Sequence, residues 1–109
     1  MARQSETMAH GSITIRLLLV AVLALAAAPA WSDGDHDRAR RAVERGEALP
    51  LREVLARLGD GLGGRVVEIE FAREHGRWVY ELKVIDAEGR LREIYVDART
   101  ARILKQDDD

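Results

Sequence analysis

Cysteine is absent from the 109 residues. Its absence removes disulfides, thiolate nucleophiles and cysteine-based zinc or iron–sulfur sites together, so a hydrophobic core alone must hold the fold. Positive charge is not in excess either. Lys and Arg number 17 against 19 Asp and Glu, with the signs interspersed, which argues against nucleic acid, whose binding needs a clustered basic face. Long apolar runs are limited to one, Leu17 to Trp31. At 15 residues it falls short of the roughly 18 to 20 needed to cross a bilayer.

What that run does resemble is the apolar centre of a secretory signal peptide. Arg3 and Arg16 stand ahead of it against Glu6, and Ala28-Pro29-Ala30 puts small residues at the two positions that signal peptidase reads. Cleavage after Ala30 is the natural placement, giving an exported chain, periplasmic or secreted, that meets the membrane only during export. Met8 serves equally well as the start. Removing residues 1–30 leaves 79, enough for one domain with a modest core. Losing Arg3, Arg16 and Glu6 takes the basic and acidic counts to 15 and 18, a net charge of −3.

In the remaining chain, Trp31 to Asp37 is polar and contains glycine, and reads as a flexible tether. Asp35 or Asp37 would cap a first helix from about Arg38 to Arg45, with Gly46 ending it. Pro50 suits the first turn of a second helix, whose Leu51, Val54, Leu55, Leu58 and Leu62 recur at the spacing of one buried face. The glycines from Gly59 to Gly64 end that pattern. From there the period is 2. Val67, Ile69 and Phe71 oppose Glu68 and Glu70; Trp78, Tyr80, Leu82 and Val84 oppose Glu81 and Lys83; Ile94 and Val96 face inward on a third strand. The glycine-bearing turns 74–77 and 86–89 make antiparallel hairpins. Arg102-Ile103-Leu104 forms a short terminal strand or extension, and Asp107-Asp108-Asp109 a disordered acidic end. The fold class is α+β: N-terminal helices packed on a three-stranded antiparallel β-meander, the domain running from 38 to 106.

No catalytic set emerges. Ser32 and Thr100 are the hydroxyl nucleophile candidates, His36 and His75 the imidazoles, and neither hydroxyl sits in a nucleophile motif. Asp33, Asp35, Asp37 and Glu44 fall at positions 1, 3, 5 and 12 of a calcium-loop pattern, but Arg38 holds the place of its glycine. The acidic segment is read instead as a helix cap, with a weak metal- or ligand-binding site as the alternative. Glu68 and Glu70 beside Glu81 and Lys83 read as a cross-strand charge ladder. Val79, Ile85 and Tyr95, turned to the wet face, would form an apolar patch marking a protein partner or a homodimer, with Trp78 as a further contact near a hairpin.

The segment from Gly76 to Leu104, GRWVYELKVIDAEGRLREIYVDARTARIL, resembles the PepSY domain family. The resemblance is carried by Tyr80-x-Leu82-x-Val84, the Asp86-Ala87-Glu88-Gly89 turn, Ile94-Tyr95-Val96-Asp97-Ala98, and the Thr100-x-x-Ile103-Leu104 tail. Upstream, Ala48 to Leu58 is similar to the helix preceding the sheet in small exported members. The family's usual Asp-Ala-x-Thr-Gly has Ala101 in place of its glycine. What the resemblance implies is a non-enzymatic module without cofactor, acting by contact on a peptidase or a sensor kinase at the cell periphery.

Overall fold

The computed structural model describes residues 28–108; the leader expected over 1–30 lies outside them except for its last three residues. Helix α1 (Asp33–Glu44) is capped by Ser32, whose Oγ accepts from the Asp35 amide at 3.1 Å. It begins five residues earlier than the sequence suggested. Residues 33–37 of the segment expected as a tether are therefore helical, because the Ser32 cap together with Asp33 and Asp35 in the positive first turn offsets the cost of Gly34. Gly46, at φ +75°, ends α1 as anticipated: its amide donates to Val43 and that of Glu47 to Ala42, a Schellman arrangement. Helix α2 (Leu51–Leu58) follows Pro50 and passes into a 3₁₀ turn, Gly59–Leu62.

Four strands, β1 (Gly64–Glu74), β2 (Arg77–Asp86), β3 (Leu91–Asp97) and β4 (Ile103–Asp108), make one antiparallel sheet in sequence order. Sequence reading gave three strands. The fourth runs the length of β3, pairing Asp107 with Glu93 and Asp108 with Arg92, so these aspartates belong to the ladder. Arg92 holds Asp108 at 3.3 Å and also bonds Gln106. A second difference lies in β1, where an irregularity between Val66 and Glu68 makes Val66, rather than Val67, the residue that packs on the core. One extra residue in a strand swaps the faces on one side of it.

The inner face carries Ile69, Phe71, Tyr80, Leu82, Val84, Ile94 and Val96, all fully buried, under Val54, Ala39 and Ala42 of the helices. Phe71 stacks on Trp78 at 4.7 Å and leans on Tyr80 at 5.0 Å. The Tyr80 hydroxyl reaches out of this cluster to donate to the Leu49 carbonyl at 2.8 Å, while the Leu49 amide donates to Ala98 at 2.7 Å. These two bonds fix the connection between α1 and α2 to the sheet.

Two turns show how aspartate organises the hairpins. Asp86 Oδ1 accepts from the amides of Glu88 and Arg90, and Asp97 Oδ1 from those of Arg99 and Thr100. The Arg90 amide, first among several donors and charges, holds the Asp86 carboxyl below its ordinary range. After Asp97, Ala101 takes the left-handed conformation at φ +64°, at the place of the glycine in the pattern that the sequence resembles. Its methyl is buried, and the gain of about 0.8 kcal/mol for a buried carbon offsets much of the strain of about 1 to 2 kcal/mol.

Two predictions follow from this packing. A Cβ on Gly64 would overlap the Ile85 carbonyl and stand 2.9 Å from Val84 Cγ1. Gly64→Ala should therefore cost about 2 kcal/mol in urea unfolding, whereas Gly61→Ala, with open space around it, should be near neutral; equal midpoints would refute the close packing. Burial pushes the Tyr80 hydroxyl up to about 12 from 10. The neutral form is favoured in the folded chain, so this contribution is whole below the unfolded value and is lost as pH rises from about 10 through about 12. It amounts to about 3 kcal/mol. Tyr80→Phe should show a shallower alkaline limb than the parent in a stability-against-pH series.

Candidate functional site

Both helices pack on the inner face, and the outer face carries rows of side chains fixed by the register. Glu68, Lys83, Glu93 and Asp107 form one row across the four strands; Glu70, Glu81, Tyr95 and Lys105 form the next. Lys83 meets Glu68 at 3.2 Å, and that pairing holds its ammonium above the usual lysine range. The anticipated charge ladder is present in this row. In the second row Glu70 stands directly opposite Glu81, an unfavourable pairing of like charges. Partial burial, then Glu70 and Glu74, raise the Glu81 carboxyl, while the neighbouring Tyr95 hydroxyl works against them. The Tyr95 hydroxyl donates to Glu93 at 3.0 Å, and Lys105 lies 5.4 Å above its ring. Glu93, then burial and Glu81, hold this phenol well above its ordinary range.

Below these rows, toward the β1–β2 turn, the outer face dips into a hollow of about 460 Å³ lined by Val79, Tyr95, Leu104, Lys105, Glu74 and Arg77, with His75 at its end. Val79 forms its floor and is 1% exposed. Leu104 is 41% exposed, the one large apolar side chain so open among the described residues. The cause is local. A register shift between Tyr95–Lys105 and Val96–Ile103 leaves Leu104 as the extra residue, so Ile103 packs on the core while Leu104 turns outward.

The four residues expected as one partner surface are not brought together. Val79 and Tyr95 share the hollow. Ile85 lies in a different row, with Arg65 and Leu91, near the far end of β2. Trp78 is on the opposite face, stacked on Phe71, with its Nε1 donating to Glu47 at 2.9 Å and Arg73 4.8 Å from its ring centre. Alternation along β2 places Trp78 with Tyr80, so its separation from Val79 was readable. Leu104 was missed because the bulge has no signature in the sequence.

The other candidates are engaged structurally. Ser32 is the helix cap and the Thr100 hydroxyl accepts from the Arg102 amide at 3.3 Å. His36 sits edge-on to Trp31 at 4.6 Å, and His75 holds a turn at φ +50°. Asp33, Asp35 and Asp37 lie in the first turns of α1 rather than in a loop. Asp35 accepts from the Phe71 amide at 3.2 Å and pairs with Arg38; Asp37 pairs with Arg40 at 3.4 Å. No group of three metal-ligating side chains occurs among the described residues.

The two helices over an antiparallel sheet, with this turn chemistry, agree with comparison to known proteins. The family model described as peptidase propeptide and YPEB domain matches residues 38–107. The chain belongs to the PepSY family. Among solved structures, the YpmB protein from Bacillus subtilis is similar, with 26% identity and a TM-score of 0.50 over 58% of this chain and 50% of that one. The chain thus aligns with only half the length of that relative. Among curated protein sequences, none matches significantly.

Replacing Glu81 by Gln removes the carboxylate opposed to Glu70 and should raise stability by about 0.5 kcal/mol at neutral pH. The folded chain binds a proton at Glu81 at higher pH than the unfolded chain does, so its penalty is present above that folded value. It fades as pH falls through it. The advantage of Glu81→Gln in urea unfolding should shrink accordingly on acidification; an advantage that grew in acid would contradict this reading of the outer face.

Proposed function

We propose that this chain is an exported, non-enzymatic binding module that docks on a peptidase or a sensor protein of the cell envelope and modulates it. The observation that carries the reading is the extent of the family match: residues 38–107 run from within α1 almost to the end of β4. Activity in this unit is then a matter of its surfaces. A propeptide, which the family description names, works by contact with its peptidase, and contact needs shape and exposed apolar area rather than a nucleophile. The outer hollow supplies both, with Val79 and Tyr95 as floor and wall and Leu104 standing free at the rim.

Glu74, Arg77 and Lys105 around that apolar centre give it the polar rim typical of a protein contact. Nothing comparable favours the metal-binding alternative, since Asp35 is engaged by the Phe71 amide and Arg38, and Asp37 pairs with Arg40.

Inhibition assays against secreted metallopeptidases, with affinity capture of envelope proteins on the purified chain, test the proposal. Binding should weaken at least tenfold in Leu104→Asp and in Tyr95→Ala, about 1.4 kcal/mol or more, with unfolding midpoints little changed for the exposed Leu104. A chain that neither inhibits a peptidase nor retains an envelope protein would end this reading.

A further inference from the structure

The edge of β1 is occupied by the chain itself. Ala30 lies parallel to it opposite Glu68, its amide donating to the Val67 carbonyl at 3.0 Å and its carbonyl accepting from the Ile69 amide at 2.9 Å. Two residues further along, Asp35 Oδ2 takes the Phe71 amide. Three outward backbone groups of β1 are thus satisfied, two by Ala30 and one by a helix side chain. Ala30 is also the residue after which the leader is expected to be cut. Asp35 stays with the folded chain after cleavage, and Ala30 leaves.

We propose that removal of the leader opens the Val67–Ile69 edge of β1 as a strand-addition site for an extended basic peptide segment of a partner, which Ala30 keeps closed until cleavage. The inference rests on the export reading with Trp31 as the mature N-terminus. Ala30 itself shows the geometry that the occupant adopts: parallel to β1, a small residue opposite Glu68, the chain ending or turning away where Trp31 does now. The charge preference comes from the surroundings. A hollow of about 370 Å³ beside Ala30 is lined by Asp35, Glu68 and Glu70 and by no basic side chain. Asp35 and Glu68 already pair with Arg38 and Lys83, whereas Glu70 faces the like-charged Glu81 across the ladder, so a cation arriving from the edge at Glu70 relieves a repulsion already present. An exposed edge strand is a template for such pairing, and neighbouring side chains decide which sequence it accepts.

The test compares the exported protein, its N-terminus read by mass spectrometry, with the unprocessed full chain, following exchange of the Ile69 amide by NMR. The processed form should exchange at Ile69 at least tenfold faster. The probe peptide Ac-Lys-Ala-Lys-Ala-NH₂ should restore protection there, and Glu70→Lys should weaken that peptide at least tenfold without unfolding the chain. Equal Ile69 exchange in the two forms, peptide binding indifferent to Glu70→Lys, or an exported chain that retains Ala30 would each overturn the proposal. Its failure is separable from that of the proposed function: a peptidase inhibited equally well by Glu70→Lys sinks the edge site alone, while peptide binding without effect on any envelope protein sinks the functional reading alone.

Discussion

Tyr80 is the side chain on which the two layers depend. It stands fully buried on the second strand, against Phe71, and its hydroxyl is tied to the Leu49 carbonyl in the link between the helices. In a domain without disulfides and with two helices of 12 and 8 residues, few other contacts set where the helical layer lies. Burying the phenol ring supplies apolar area, and satisfying its hydroxyl avoids the cost of an orphaned polar group. No buried side-chain nitrogen or oxygen among the described residues lacks a partner.

That one-sided packing explains the character of the other face. A sheet with its helices on one side must make its opposite side tolerable to water, and this one does so with rows of Glu and Lys. Two places break the pattern. The Glu70–Glu81 pair sets like charges across a ladder, and the bulge in β4 turns Leu104 outward over Val79. Neither helps the isolated fold. Both make sense on a surface that spends part of its life covered, and this agreement is what links the packing to the proposed docking role.

Much of the architecture was legible because periodicity and turn chemistry agreed. The leucine spacing after Pro50, the alternation in β2 and β3, and the aspartate turns at Asp86 and Asp97 each specify local structure through side chains that the sequence displays. What escaped reading depended on backbone detail or on distant partners. The early start of α1 hinges on Ser32 bonding the Asp35 amide, in a stretch whose Gly34 suggests a loop. The irregularities at Val66–Glu68 and Tyr95–Val96 shift one residue each and leave no compositional trace. The length of β4 reflects pairing of Asp107 and Asp108 with Glu93 and Arg92, residues some fifteen positions away. The candidate surface was half legible for the same reasons: Val79 and Tyr95 follow from alternation, Leu104 only from the bulge.

The chain has two lysines, Lys83 and Lys105, and both belong to outer-face rows. Lysine-directed covalent labelling therefore reads that face alone. If the outer hollow is where a partner docks, labelling of Lys105 should fall several-fold when the chain is bound to a peptidase that it inhibits. Lys105 labelled equally in the free and bound chain would contradict the account.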